Sequence, residues 1–342
     1  MPRAKLEVRK PVIHQIDPRF FPSGGTLLDL INGGGWGKSR FINIVGDKAT
    51  AKTGLAIEAC TNFARMFSAD DVRYNEAEAA FDRDYAATLG FPDGISFTGD
   101  EARKEEDRHG SRTVEDWCDD LDTFLVGRAG KVPSLYVLDS MDALSDDAEL
   151  EKKRGEGSYG TAKAKLISEA FRKLNSRMER SGCTLMIISQ IRDNIGVMFG
   201  EKHKRSGGKA LDFYASQILW LSAVEKIKQK VSGGSDRIVG MKIKAMNKKN
   251  KLGNPFRSAE MLYYFNYGID DELSCLDWLK KEGTGRVSLG ADLKELREEV
   301  LLARKNQDRE SLGILAEEIR RVTRARWQEI EDALEPPMRK YE

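Results

Sequence analysis

From Leu27 onward, short apolar runs alternate with amphipathic stretches, and the alternation continues to about residue 225. Runs of that length between helical patterns read as buried strands joined by crossover helices, and so as a parallel sheet. Four look like buried strands: 41–45, 72–75, 135–138 and 184–189. Each adjoins a helix-like segment. Residues 218–221, 238–245 and 260–265 are further strand candidates. The turn-rich 231–236 between the first two of these predicts a hairpin, which makes the sheet mixed on one side.

The two ends have a different character. Residues 1–23 carry Leu6, Val8 and the stretch 12–16 ahead of a proline-containing turn. This predicts an extended arm with no core of its own, lying on another protomer. After Gly283 and Gly285 the chain is rich in Leu, Glu, Arg and Lys at helical spacing through Leu334, and it stops at Pro336 and Pro337. The expected division is an arm (1–24), an α/β core (25–270) and a small helical C-terminal module (271–342). No solenoid period is evident.

Composition adds little. Among 342 residues, 56 Lys and Arg face 55 Asp and Glu, a formal net charge of +1. A polyanion must therefore be held by a local patch. The cysteines Cys60, Cys118, Cys183 and Cys275 are far apart and form no CxxC pair, which suggests neither a zinc site nor a disulfide framework. No run of 18 or more apolar residues occurs. The expectation is a soluble cytoplasmic protein with no membrane partner.

Two segments compete for a phosphate-cradling role: GGGWGKS at 33–39 and GDKATAKT at 46–53. A working phosphate loop follows a strand and opens a helix, so that backbone N–H groups and the helix N-terminus point at the phosphates. Only the second does so. It follows FINIV and leads into GLAIEACTNFARMF, whereas the first precedes the strand and reads as a glycine turn. Gly46, Asp47, Lys48, Ala49, Thr50, Ala51, Lys52, Thr53 and Gly54 are thus the expected ATP-binding residues. Lys52 would reach the terminal phosphates and Thr53 would ligate Mg²⁺. Ala51 stands where the usual motif has its second glycine, a methyl that removes no donor and no charge.

Acids follow at later strand ends. The run 135–138 ends in Asp139, placed as a second metal residue, and 72–75 ends in Glu76-Ala77-Glu78, which makes Glu78 the candidate base for water. The run 184–189 ends in Gln190, a neutral amide able to sense a γ-phosphate and pass its presence to the following loop.

Together these residues resemble the bacterial RecA recombinase family, over about 25–265. EAEAAFDRDYAATLG (76–90) is similar to the family's catalytic-glutamate segment, and VLDSMDAL (137–144) to its Walker B strand. The resemblance implies adenine contacts at Asp82 and Tyr85. SQIRDNIGVMFG and SGGKALDFYAS, within 189–216, are similar to its second DNA-binding loop. That implies DNA contacts at Arg192, Asn194, Ile195, Gly196, Val197, Met198, Phe199, Gly200, Lys204, Arg205, Ser206, Gly207, Gly208 and Lys209. Composition agrees, since cations and glycines suit phosphates while Ile195, Val197, Met198 and Phe199 suit wedging between bases. By the same resemblance, 149–160 would be the first DNA-binding loop, with Tyr159 and Gly160, and Lys249 and Lys251 would reach ATP held by a neighbouring subunit.

The implied activity is that of an ATP-dependent homologous recombinase, a DNA-dependent ATPase. It would form a helical homo-filament on single-stranded DNA and exchange strands with homologous double-stranded DNA. Glu78, Lys52 and Gln190 would do the catalytic work, Thr53 and Asp139 would hold Mg²⁺, and ATP would bridge protomers. The alternatives on the same core are a recombination mediator, an ATP-dependent DNA-coating filament without exchange, and a hexameric helicase. The departures at Ala51, the short arm and the unmatched tail are those of a diverged member, as expected of a bacteriophage-encoded copy working in a bacterial cell. Arg320, Arg321, Arg324 and Arg326 could recruit duplex DNA or form a salt-bridged helix face with Glu317, Glu318, Glu329 and Glu331.

Overall fold

The computed structural model describes residues 17–98, 110–128, 133–147, 160–193, 203–205, 208–286 and 290–336. Its first half runs β1 (Phe20–Phe21), α1 (Thr26–Ile31), β2 (Trp36–Gly37), β3 (Phe41–Gly46), α2 (Lys52–Met66), β4 (Val72–Glu76), α3 (Arg83–Thr88), β5 (Ser96–Phe97), α4 (Val114–Val126) and β6 (Ser134–Asp139). It continues with α5 (Gly160–Ser181), β7 (Cys183–Asp193), β8 (His203–Arg205), α6 (Gly208–Tyr214), β9 (Gln217–Gln229), β10 (Arg237–Asn250), β11 (Ser258–Tyr264) and β12 (Gly268–Asp270). Three helices follow: α7 (Asp271–Glu282), α8 (Leu293–Lys305) and α9 (Arg309–Leu334).

The main sheet has the order β12-β11-β10-β9-β3-β7-β6-β4-β5, with β8 on β7. The strands from β5 through β9 are parallel, and β9 to β12 form an antiparallel meander. The α/β class and the mixed edge are therefore those the sequence predicts. Most strands outrun their apolar runs, β9 by the largest margin at its far end, and β7 continues past β3 and β6 to pair with β8. Within β3 the polar Asn43 interrupts the apolar run without ending the strand. Asn43 is fully buried, and its Nδ2 donates to the Ile187 carbonyl and to Ser189 Oγ, both at 2.9 Å.

Side chains alternate between the two faces. Ile42, Ile44, Val72, Tyr74, Leu135, Val137, Met186 and Ile188 join one apolar cluster, whereas Phe41, Tyr136, Leu138, Leu185 and Ile187 join another. The second cluster is closed by α4 and α5 through Trp117, Leu121, Phe171 and Leu174. Alpha helix α2 and the C-terminal helices close the first, with Leu55, Phe63, Leu273, Leu279, Val300 and Ile319. Phe21, at the end of the expected arm, is in this cluster too, fully buried with Phe20. The competing glycine segment is a turn into the ribbon β1–β2, and Gly33, Gly34 and Gly35 all have positive φ. A Cβ on Gly35 would collide with the Phe21 carbonyl, so only glycine fits there.

Charge fixes α8 and α9 against α7. Arg304 donates to Asp270 at 2.6 and 2.8 Å and to Glu272 at 2.7 Å, and Arg320 donates to Asp271 at 2.8 Å and Glu272 at 3.1 Å. Arg321 pairs with Glu318 and Arg326 with Glu329. Arg321 and Arg326 thus take the salt-bridged reading with Glu318 and Glu329, whereas Arg320 pairs with Asp271 and Glu272 instead. Trp278 and Trp327 stack nearby at 5.7 Å between centroids.

On the buried face of α2 lies Glu58, whose Oε1 accepts from the Ile269 N–H at 3.2 Å while Oε2 has no partner among the described residues. Burial, with Asp271 adding to it, pushes this carboxyl up to about 8 from an ordinary 4.5. A raised carboxyl favours the folded state fully below its unfolded value and loses that contribution as pH rises through the folded value. The urea midpoint should therefore fall between pH 5 and 9 in part through Glu58. Glu58→Gln is expected to flatten that slope and to gain most above about pH 8; an unchanged slope would exclude Glu58 as its source.

Candidate functional site

The parallel register brings four loops to one edge. Gly46 pairs with Gln190 across β3 and β7, and Glu76 pairs with Asp139 across β4 and β6. The phosphate loop leaves β3 at Gly46 and enters α2 at Lys52, so the helix N-terminus faces this edge. A Cβ on Gly46 would collide with Thr50 Oγ1, whose hydroxyl donates to the Asp47 carbonyl at 2.8 Å. The loop is wound tightly around that threonine, which is itself buried.

Ala51 takes the left-handed conformation, φ 65° and ψ 21°, and Ala49 is left-handed as well. An L-residue holds that pose at a cost of about 1–2 kcal/mol. The loop thus keeps the backbone path that glycine would favour, and the methyl is accommodated by strain rather than by a new path.

Lys52 Nζ donates to the Asp47 carbonyl at 2.7 Å, so its ammonium is folded back over the loop. Burial pulls its pKa down, opposed by Asp139, Glu78, Asp47 and Asp142. Thr53 Oγ1 donates to Asp139 Oδ2 at 2.8 Å, which unites the two expected metal residues. Asp139 is buried, and among the described residues it forms no ion pair. Burial pushes its carboxyl up to about 6, against the hydroxyl donors Tyr74 and Thr53.

A hydroxyl beside a carboxylate that forms no ion pair is a hard-oxygen set that fits Mg²⁺. Among the described residues no group of three or more His, Cys, Asp or Glu could hold a metal alone.

Glu78 is exposed at the mouth of this site. Its Oε1 accepts from Gln190 Nε2 at 2.8 Å and from Ser140 Oγ at 2.5 Å. The Gln190 N–H in turn donates to Asp142 Oδ2 at 2.7 Å. The candidate base and the candidate sensor are therefore in direct contact. Ser140 and Asp142 were not singled out by sequence, although both directly follow the strand end at Asp139.

The expected adenine residues lie across α2. Asp82 caps α3, accepting from the N–H groups of Asp84 at 2.9 Å and Tyr85 at 3.0 Å. Tyr85 OH meets Tyr263 OH at 2.8 Å. A Cβ on Gly54 would run into the Tyr263 ring, so the glycine lets this tyrosine lie on α2. Tyr263 and Tyr74 were missed; each lies on a strand where its hydroxyl is indistinguishable in sequence from core packing.

Lys249 and Lys251 hold the C-terminal end of α6: Lys249 Nζ donates to the carbonyls of Asp212 and, at 3.0 Å, Phe213, and Lys251 Nζ reaches Phe213 at 3.4 Å. Of the expected DNA residues, Gly160 begins α5, Arg192 is in β7, Lys204 and Arg205 are in β8, and Gly208 and Lys209 begin α6. Arg192 pairs with Lys204, and Ile191 with Arg205. Tyr159, Asn194, Ile195, Gly196, Val197, Met198, Phe199, Gly200, Ser206 and Gly207 lie outside the described residues, as does the arm stretch with Leu6 and Val8. Among the described residues no helix is long and apolar enough to cross a membrane.

The family model of the RecA N-terminal domain matches residues 9–270. The protein named Protein RecA from Borrelia duttonii (strain Ly) is 35% identical over 257 residues, covering 75% of this chain and 66% of that protein. Protein RecA from Borrelia hermsii (strain HS1 / DAH) is 36% identical over 256 residues, 75% of this chain and 67% of its own length. Protein RecA from Nocardia farcinica (strain IFM 10152) is 34% identical over 288 residues, 82% of this chain and 74% of its own. The chain thus spans about two thirds of the length of the Borrelia relatives. With the matched region spanning the sheet and every strand end of the site, this chain belongs to the RecA family.

Proposed function

We propose that the chain is an ATP-dependent homologous recombinase. In this reading ATP is held between adjacent protomers, copies of the chain form a helical filament on single-stranded DNA, and homologous double-stranded DNA is captured for strand exchange. The observation that carries it is the 2.8 Å hydrogen bond from Gln190 to Glu78. It joins Glu78, the proposed base, to β7, the strand that leads toward the segment expected to hold DNA. Family membership supports the same reading, and no observation favours the ring helicase, the mediator or the passive coat.

Lys52 would leave the Asp47 carbonyl for the terminal phosphates, a charge-assisted exchange that stabilises negative charge where it develops. Thr53 and Asp139 would hold Mg²⁺, which supplies charge neutralisation to the phosphates when bound. Glu78 would orient and deprotonate the attacking water. Gln190 would turn from Glu78 to the γ-phosphate, which frees the base and shifts the end of β7 in one movement. Lys249 and Lys251, now on the carbonyls at the end of α6, would transfer to phosphate held by the next protomer. Since α6 is the helix entered from the same DNA segment, that transfer would couple neighbouring sites.

DNA phosphates would be met by Arg192, Lys204, Arg205 and Lys209 around the 194–207 segment. The proposed place of action is the cytoplasm of a bacterial cell, and the relatives named above are bacterial. A bacteriophage source has no support among them.

Glu78→Gln keeps the size of the side chain and one acceptor oxygen but not its basicity. It should bind ATP and single-stranded DNA like the parent while DNA-stimulated phosphate release falls about 10²- to 10⁴-fold. A variant with ordinary turnover would remove Glu78 from the catalytic step.

A further inference from the structure

Asp139 Oδ2 accepts two hydroxyl protons, one from Thr53 and one from Tyr74, each at 2.8 Å. Thr53 belongs to the phosphate loop, whereas Tyr74 comes from the neighbouring strand β4 and is fully buried. Its ring is locked by three phenylalanines, with centroid distances of 4.9 Å to Phe81, 6.0 Å to Phe91 and 5.7 Å to Phe97. Phe81 and Phe91 flank α3, which carries Tyr85, so one aromatic cluster supports both the metal side and the expected adenine side. A ring held in this way has little freedom to aim its hydroxyl elsewhere. With both donors on Oδ2, the carboxylate plane is fixed and Oδ1 carries no hydrogen bond from the protein among the described residues.

We propose that Tyr74 is a positioning residue for the metal site: its hydroxyl anchors Oδ2 of Asp139 so that the carboxylate presents its other oxygen to the hydrated Mg²⁺ of the bound nucleotide. This rests on the ATP-site reading above. Partners that orient a metal-binding carboxylate in this manner set affinity by restricting the ligand to its useful pose, and losing one costs about 10- to 100-fold in metal affinity. Thr53 alone leaves Asp139 free to rotate about its side-chain bonds, since the two oxygens then become interchangeable. Tyr74 also links the metal to strand β4, whose end carries Glu76 and leads to Glu78, so the ion and the base are held from one strand.

The test is Tyr74→Phe, which retains the ring and its aromatic packing. Binding of a fluorescent ATP analogue by the full chain is titrated with Mg²⁺ and, separately, measured in EDTA, with circular dichroism as the check on folding. The expected result is a Mg²⁺ half-saturation about tenfold higher than in the parent, with nucleotide affinity in EDTA unchanged. An unchanged Mg²⁺ half-saturation overturns the proposal. So does an equal loss in EDTA and in Mg²⁺, or a variant that does not fold, because either makes the hydroxyl a structural group only. If the parent itself binds the analogue without regard to Mg²⁺, the ATP-site reading fails instead.

Discussion

In a parallel sheet every strand ends on the same edge, so a carboxylate at the end of one strand faces the loop that leaves the next. Here the register is what matters: Gly46 is level with Gln190 and Glu76 with Asp139. A slip of one residue would turn Asp139 to the opposite face and separate it from Thr53. The apolar alternation on both faces holds that register, because Val137 and Leu138, or Ile187 and Ile188, belong to different clusters and cannot exchange faces without burying the wrong surface. The site thus inherits its geometry from the core.

The same core sets the electrostatics. Burial lowers the pKa of Lys52 and raises that of Asp139, so each charge is poorly compensated by the chain alone. The chemistry that relieves both is a polyanion with a divalent cation, which is what a nucleotide triphosphate with magnesium offers. Exposed Glu78 and half-buried Gln190 sit outside this buried pair, where solvent can reach them. Gln190 lies level with the last residue of β3, and β7 runs on beyond it.

Much of this was legible in the sequence because strand ends are local features. FINIV followed by a glycine, VLD and a run ending in SQ each announce a strand and the polar residue at its edge, and the structure joins them as expected. What stayed hidden depends on non-local packing. The hydroxyl of Tyr74 looks like any aromatic in an apolar run, and only β6 beside β4 gives it Asp139. Tyr263 meets Tyr85 across a sequence separation of 178 residues, and only the gap above Gly54 permits it. Ala51 was visible as a departure, yet its left-handed pose is a property of the folded loop. The C-terminal helices looked like a separate module because their own pattern is amphipathic and charged. Their apolar faces complete the cluster that contains Ile42 and Ile44.

The central claim is that this ATP site drives assembly of the chain along DNA. Electron microscopy of the full chain with single-stranded DNA and a slowly hydrolysed ATP analogue tests it most directly. The account predicts regular helical filaments that require both the nucleotide and DNA, and closed rings, or bare DNA beside isolated protein, would contradict it.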